Sequence, residues 1–417
     1  MDSYRGLNFL TFRDLTQSGG GAVRILGILN SVAKNNGLNI NLFSNNSDYN
    51  FFDKIEKHDI AIEFTPFEKK LFQFLLSFLP LFLVNVIFRK KLDALENISK
   101  KYDLKNKEVI FFEYLDLSVG YFLKKNGLVR DYICDIHGIV PSEFKQKKNN
   151  KIYNTIRYLS ALNLDKKVFK KSKGFIFASQ SMRDYFNENY PTTVGKKYII
   201  LPYLISVDAT KNLVDSELLH SLRSKFKISD NDNVIFFAGG FKYLGGIVDL
   251  VSAFSIVRDK LNGTKLFLIG DGEEYETVRK IIEVESLQDI VIQVKKIPYS
   301  HLRTYQELAT VIVCPDKQNL YSNMILHLKY IDSLLSGKIV INGRFNAVCE
   351  INKNECLSVN FEPSNITDLA NKIIYCIENK EFLESKYKGN IQYVKDNMLY
   401  ESEKQALYKF ISKGLNK

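Results

Sequence analysis

From residue 234 onward, short runs of branched and aromatic apolar residues alternate with helical patterns, and each run ends in a turn. Val234–Ala238 reads as a strand, followed by the loop Gly239-Gly240-Phe241-Lys242-Tyr243-Leu244-Gly245-Gly246. Ile247–Lys260 then carries apolar residues at Ile247, Leu250, Val251, Phe254 and Val257, which is helical spacing. Lys265–Ile269 reads as the next strand and ends in Gly270-Asp271-Gly272. A helix from Tyr275, a strand at Ile290–Val294, a helix from Ser300 and a strand at Val311–Cys314 continue the series. Strands that alternate with helices in this way join as a parallel, doubly wound sheet.

Within the series, Lys329–Asn342 (KYIDSLLSGKIVIN) combines a short helix, a turn at Ser336-Gly337 and the branched run Ile339-Val340-Ile341. Asp332 sits on that helix. A carboxylate there lies near the carboxyl ends of neighbouring parallel strands, where open α/β sheets bind nucleotides. It can accept both hydroxyls of a ribose.

The first half repeats the theme. Leu7–Phe12 reads as a strand, Gln17-Ser18-Gly19-Gly20-Gly21 as a loop, Val23–Val32 as a helix and Asn39–Phe43 as a second strand. Glycines at such a loop admit close approach of a ligand to the backbone. Strands follow at Val109–Glu113, at Arg130–Ile136 before His137-Gly138, and at Phe175–Ser179. Helices are read near Leu117–Lys124 and at Gln180–Asn187, and Tyr198–Pro202 leads into the second half.

At 417 residues the chain has room for two domains. The formal net charge is +11. The basic residues are scattered rather than gathered with aromatic or glycine-rich elements, which argues against nucleic acid as partner. Attraction to an anionic membrane surface or to phosphorylated ligands fits better, beside the bland reading of a solvated basic surface. The five cysteines are odd in number, mostly sit in apolar runs and form no CxxC, so they read as small hydrophobes in a reducing compartment. His301 and His327 have no carboxylate or Cys at ligand spacing, so no metal site is expected. The N-terminal residues carry no secretory pattern.

Leu71–Phe88 is an uncharged run of 18 residues between Lys69-Lys70 and Arg89-Lys90-Lys91. Its length admits a membrane span. Pro80 in the middle, with Gln73 and Asn85, favours a broken amphipathic element on a membrane surface. A buried or partner-facing helix pair is the other reading.

Together these segments resemble the glycosyltransferases of family 4, which have the GT-B architecture. FFAGGFKYLGGIVDLVSAF resembles the family's strand, phosphate loop and helix. LFLIGDGEE, KIPYSHLRTYQELATVIVCP, LKYIDSLLSGKIVI and LSVNFEPSNITDLANKIIYCIEN follow in the family's order. CDIHGIVPSEF and FIFASQSMRDYF are weaker matches in the first half. The resemblance implies two Rossmann-like, doubly wound parallel-sheet domains facing a cleft, over 1–202 and 203–397. A terminal helix within 398–417 would cross back to the first. It implies retaining, metal-independent transfer from a nucleoside-diphosphate sugar, with that donor as substrate and no cofactor.

The resemblance also assigns roles. Asp332 would hold the ribose and His137 would contact the sugar. Gly19, Gly20 and Gly21 would face the diphosphate. Gly239, Gly240, Gly270, Ile297, Asn323, Met324 and Lys329 fall on the donor side. Gly240 and Gly245 stand where the family has an Arg and a Lys, and Met324 stands where it has a glutamate. Lys242, in the same loop, is the candidate replacement for the lost charge. Without the resemblance, His137 is a loop histidine and Asp332 a helix carboxylate.

The implied function is sugar transfer to a lipid-linked or surface-polysaccharide acceptor by a cytoplasmic protein, peripheral on the inner face of the cell membrane. Two alternatives stay open. A non-catalytic subunit would bind and activate a partner glycosyltransferase. An inverting enzyme would need a base near the first glycine loop, where Asp14 is the nearby acid.

Overall fold

The computed structural model of the protein describes residues 7–16, 20–33, 40–45, 55–146 and 150–414. The chain divides into two compact units, residues 1–202 with 400–417, and residues 203–399.

The first unit is built on a seven-stranded sheet. Its strands are β1 (Leu7–Thr11), β2 (Ile40–Ser44), β3 (Ile55–Asp59), β4 (Glu108–Phe112), β5 (Asp131–Asp135), β6 (Gly174–Phe177) and β7 (Lys197–Ile200), in the spatial order β3-β2-β1-β4-β5-β6-β7. Every pairing is parallel. The order reverses between β1 and β4, and such a reversal opens a crevice at the carboxyl ends of the strands. The helix Gly20–Ala33 follows β1 directly. Gly20 and Gly21 form its first turn, while Gly19 lies outside the described residues.

Two elements of this unit escape a reading by pattern. β3 (IEKHD) carries charge because it lies at the sheet edge, where such residues also discourage pairing with another chain. The helix Lys151–Lys171 has no clean apolar stripe: it buries Asn154, Ser160 and Asp165 and leaves Ile152, Ile156 and Leu159 exposed. The run Leu71–Phe88 is not one helix. Pro66–Phe78 ends before Pro80, and Leu81–Ile87 begins after it. Pro80 lacks the N–H needed to continue the ladder. Among the described residues no helix is long and apolar enough to cross a membrane. The C-terminal helix Lys404–Gly414 belongs to this unit, and the fully buried Tyr400 precedes it. The Tyr400 carbonyl accepts from Ser31 Oγ at 2.7 Å.

The second unit carries a six-stranded parallel sheet. Its strands are β8 (Asn233–Ala238), β9 (Thr264–Ile269), β10 (Val291–Val294), β11 (Val311–Cys314), β12 (Ile339–Gly343) and β13 (Val359–Phe361). They lie in the order β10-β9-β8-β11-β12-β13, so the reversal falls between β8 and β11. Both faces are covered, which explains why the strands read as continuous apolar runs. Ile235 and Phe237 pack toward the helices Ile247–Lys260 and Ile366–Glu378, whereas Val234 and Phe236 pack on the opposite face with Leu222 and Leu308.

Cys134, Cys314 and Cys376 are buried free thiols. Cys349, inside the helical turn Asn346–Ile351, and Cys356, just after the turn Lys353–Glu355, are exposed.

Candidate functional site

The site in the second unit is assembled by backbone. β8 ends at Ala238, and the loop 239–246 is pinned on two sides. The Gly239 N–H donates to the Ile269 carbonyl at 2.9 Å and the Phe241 N–H to the Asp271 carbonyl at 3.0 Å. The Tyr243 N–H donates to the Glu273 carboxylate at 3.1 Å. Beyond the loop, the Lys317 N–H donates to the Leu244 carbonyl at 3.0 Å.

Two glycines are structurally required here. Gly246 has φ +70°, and a Cβ at this position would lie 1.7 Å from the Pro315 carbonyl oxygen. This lets the helix Ile247–Lys260 begin against the end of β11. Gly270 has φ +153°, and its Cβ would lie 1.9 Å from the Gly239 carbonyl oxygen. The ends of β8 and β9 therefore approach closely only because both turns are bare.

A crevice of about 340 Å³ opens at this edge. Gly239, Gly240, Gly270, Ile297, Lys329 and Asp332 line it, and Tyr299 joins them. Six donor-side residues named from the sequence thus converge on one crevice. Asp332 is half-buried on the helix Leu328–Leu335, and its Oδ1 accepts from the Tyr299 hydroxyl at 2.7 Å. Burial raises the Asp332 pKa, against the Tyr299 hydrogen bond, to about 6. The Tyr299 hydroxyl is itself pushed upward by burial and by the Asp332 charge. Sequence reasoning did not single out Tyr299; its place two residues after Ile297 was the available signal.

Lys329 is committed to a partner. Its Nζ lies 2.9 Å from Asp316 Oδ1 and 5.3 Å from the centre of the Phe237 ring. Asp316 is almost fully buried, and His327 stands 3.9 Å from the same oxygen. Burial lowers the His327 pKa, with Asp316 opposing. Lys242 differs: it is exposed and has no ion-pair partner among the described residues. A Cβ built on Gly240 would lie 3.5 Å from Lys242 Cε and 3.7 Å from its Cγ. The lysine side chain thus lies in ordinary contact with position 240 without filling its space.

Asn323 and Met324 do not line this crevice. The Asn323 side-chain oxygen accepts from the Asn346 N–H at 2.9 Å and so starts the next helix, while Met324 is buried.

In the first unit, His137 follows β5. Its Nε2 is hydrogen-bonded to Asp135 Oδ2. Asp135 also receives Arg24, with Nη2–Oδ1 at 2.7 Å and Nε–Oδ2 at 3.0 Å. The Arg24 Nη1 donates to the Leu201 and Pro202 carbonyls at 2.8 and 3.1 Å. Burial pushes the Asp135 pKa up, but the Arg24 and His137 charges and hydrogen bonds outweigh it and hold it at about 2. An ionised Asp135 accepts, so His137 Nε2 carries a hydrogen. Neither Arg24 nor Asp135 was singled out in the sequence, although Asp135 stands two residues before the histidine. Asp14 is spent locally, accepting from the Thr16 N–H at 2.9 Å.

Residues 220–392 match the family model described as "Glycosyl transferases group 1". No curated protein matches the chain. Among solved structures, the chain is similar to a glycosyltransferase from Rickettsia africae, with TM-score 0.69, 16% identity and all of both chains covered. It is also similar to sucrose-phosphate synthase from Thermosynechococcus elongatus, with TM-score 0.71, 15% identity and 98% of both chains covered. Anabaena HepE, solved in complex with UDP-glucose, gives TM-score 0.68 and 13% identity over 98% of this chain and 99% of that one. The chain has the GT-B fold of two Rossmann-like domains, and its segment 220–392 carries the pattern of the group 1 glycosyl transferases.

Proposed function

We propose that this protein transfers a sugar from a nucleoside-diphosphate sugar to a lipid-linked or surface-polysaccharide acceptor, retaining the anomeric configuration and using no metal. The observation that carries the reading is the convergence of Asp332, Lys329 and the bare loop 239–240 on one crevice at the strand reversal of the second unit. A carboxylate suits ribose hydroxyls, and a glycine turn beside lysines suits a diphosphate. Solved structures of Anabaena HepE hold UDP and UDP-glucose.

In the reaction, the bond from the anomeric carbon to the diphosphate oxygen breaks. The acceptor oxygen bonds that carbon, and its proton passes to the departing phosphate. Charge develops on the diphosphate, and positive groups fixed near it lower the barrier. Lys242 is assigned this role, with Lys329 second because Asp316 already shares its charge. His137, oriented by Asp135, is assigned to the sugar. Asn323 and Met324 are left without a donor role. The protein is placed at the inner face of the cell membrane as a peripheral enzyme.

A panel of nucleotide sugars with lipid-linked acceptors tests the reading: turnover with one donor, lost in Asp332→Ala, is expected. The glycines at 240 and 245 favour a second reading, a non-catalytic subunit that activates a partner transferase. Nucleotide binding with neither transfer nor donor hydrolysis would move the assignment there.

A further inference from the structure

The crevice of the second unit has two unlike ends. Gly239 and Gly240 follow β8, Gly270 follows β9, and residues 295–299 follow β10. The three strands lie side by side in that order. Neighbouring strands are about 4.8 Å apart, so the β10 end stands about 10 Å along the edge from the glycine turn of β8. The glycine end is bare, whereas Ile297, Leu302 and Tyr299 wall the β10 end and Lys296 lines it with them.

On the donor reading above, the diphosphate lies at the glycine turn and the ribose at Asp332. Base and diphosphate leave a ribose from opposite sides, at C1′ and C5′. Asp332 accepts from the Tyr299 hydroxyl at 2.7 Å, so a ribose on Asp332 lies beside Tyr299 and the base falls at the β10 end. Tyr299 offers a platform there. Its hydroxyl is drawn onto Asp332, yet the residue stays 50% exposed, so the ring keeps an open face in the crevice.

Two lysines stand between β10 and Ile297, and they are used differently. Lys295 Nζ lies 5.7 Å from the centre of the Tyr275 ring. Lys296 lines the crevice, is exposed, and has no ion-pair or hydrogen-bond partner among the described residues. Asp271 also borders the crevice, but its carboxylate accepts from the Gly272 N–H at 2.8 Å and its carbonyl from the Phe241 N–H, which ties it to the glycine loop. Lys296 is left as the charged group for the base. An ammonium donates hydrogen bonds and accepts none. It suits a base whose outer edge carries an oxygen, as uracil does at O4 and guanine at O6. It is mismatched to cytosine and adenine, which carry an amino group in that place.

Resting on the donor reading, we propose that Tyr299 is the platform on which the donor's base stacks, and that Lys296 selects uracil or guanine by its outer-edge oxygen.

Equilibrium titration of the full chain with UDP and CDP tests the selection, because their bases differ only at position 4 and the adjoining N3 proton. At pH 8, UDP should bind about tenfold tighter than CDP, the scale of one hydrogen bond to a charged group, and GDP should likewise exceed ADP. Lys296→Met should erase both preferences and weaken CDP far less than UDP. Tyr299→Phe and Tyr299→Leu lose the same hydroxyl, so the gap between them reads the ring. UDP should bind Tyr299→Phe about tenfold tighter than Tyr299→Leu, the usual scale of one base–aromatic stack. Both positions are exposed, and unchanged thermal unfolding of the variants checks the fold. Equal or reversed affinity for UDP and CDP, a preference that survives Lys296→Met, or equal binding of UDP by the two Tyr299 variants would overturn the proposal. So would a uniform weakening of all four nucleotides in Lys296→Met, because the lysine would then serve the diphosphate. Each of these results leaves the transfer reading standing, since a nucleotide still binds. Failure of every nucleotide to bind would remove both.

Discussion

Arg24 and Asp135 form an ion pair withdrawn entirely from water, with Nη2–Oδ1 at 2.7 Å, between the first helix and the strand that delivers His137. The Arg24 Nη1 donates to the Leu201 and Pro202 carbonyls. The pair ties three distant stretches of chain to one point at the carboxyl edge of the sheet. Removing one partner strands a buried charge, which typically costs about 3–5 kcal/mol. Arg24→Leu or Asp135→Asn is therefore expected to lower stability by that order in denaturant unfolding. The double variant Arg24→Leu/Asp135→Leu should lose less than the sum of its two single variants.

The same pair sets an acid limit. Asp135 titrates at about 2 when folded, below the ordinary 3.8. A lowered carboxylate contributes stability above the unfolded pKa, and that contribution disappears as pH falls through the folded one. The expected loss is about 2 kcal/mol between roughly pH 4 and pH 2. Unfolding followed over that range should show the loss in the native chain and not in Asp135→Asn.

Asp332 shifts in the opposite sense. At about 6, its carboxyl is protonated on the acid side of that value and ionised above it. A ribose hydroxyl donates best to the ionised form. Nucleotide affinity is expected to rise as pH increases through 6, and Asp332→Asn should weaken binding about tenfold or more and abolish the rise. Tyr299→Phe removes the hydrogen bond that lowers the Asp332 pKa, so it should move the midpoint upward. Calorimetric titration with an uncharged nucleoside excludes titration of the phosphates; a flat profile in the native chain would reject the ribose role.

Lys242 lies against Gly240, with its Cε 3.5 Å from where a Cβ at 240 would stand, which is ordinary contact. Lys242→Ala is expected to lower kcat by about a hundredfold, the usual scale for one lost charge-stabilising group. Gly240→Arg meets only ordinary contact with the flexible Lys242 side chain, so it should be accommodated and should restore part of the rate in Lys242→Ala. A rate indifferent to Lys242→Ala would remove the lysine from the chemistry.

Much of the donor side was legible because it is local. Ile247–Lys260 and Val311–Cys314 fall at the bounds read from pattern, since apolar spacing of 3.6 or an unbroken branched run is carried by consecutive residues. Asp332 and Gly270 could be placed from the turns that follow strands. β3 and the helix Lys151–Lys171 were not legible. The first is a charged edge, and the second mixes buried Asn154, Ser160 and Asp165 with buried Leu164 and Val168 while exposing Ile152, Ile156 and Leu159, so neither presents the pattern that burial imposes.

The order of residues alone determined the two wound sheets, the glycine turns at strand ends and the break at Pro80, because backbone conformation and periodicity act within a few positions. Only the tertiary structure decided that Arg24 meets Asp135 behind His137, that Tyr299 caps Asp332, that Lys242 lies against Gly240 and that Ser77 joins Ser160. Most of these contacts join residues far apart in the chain, and all of them depend on where the folded backbone carries each side chain. No local propensity encodes such an encounter.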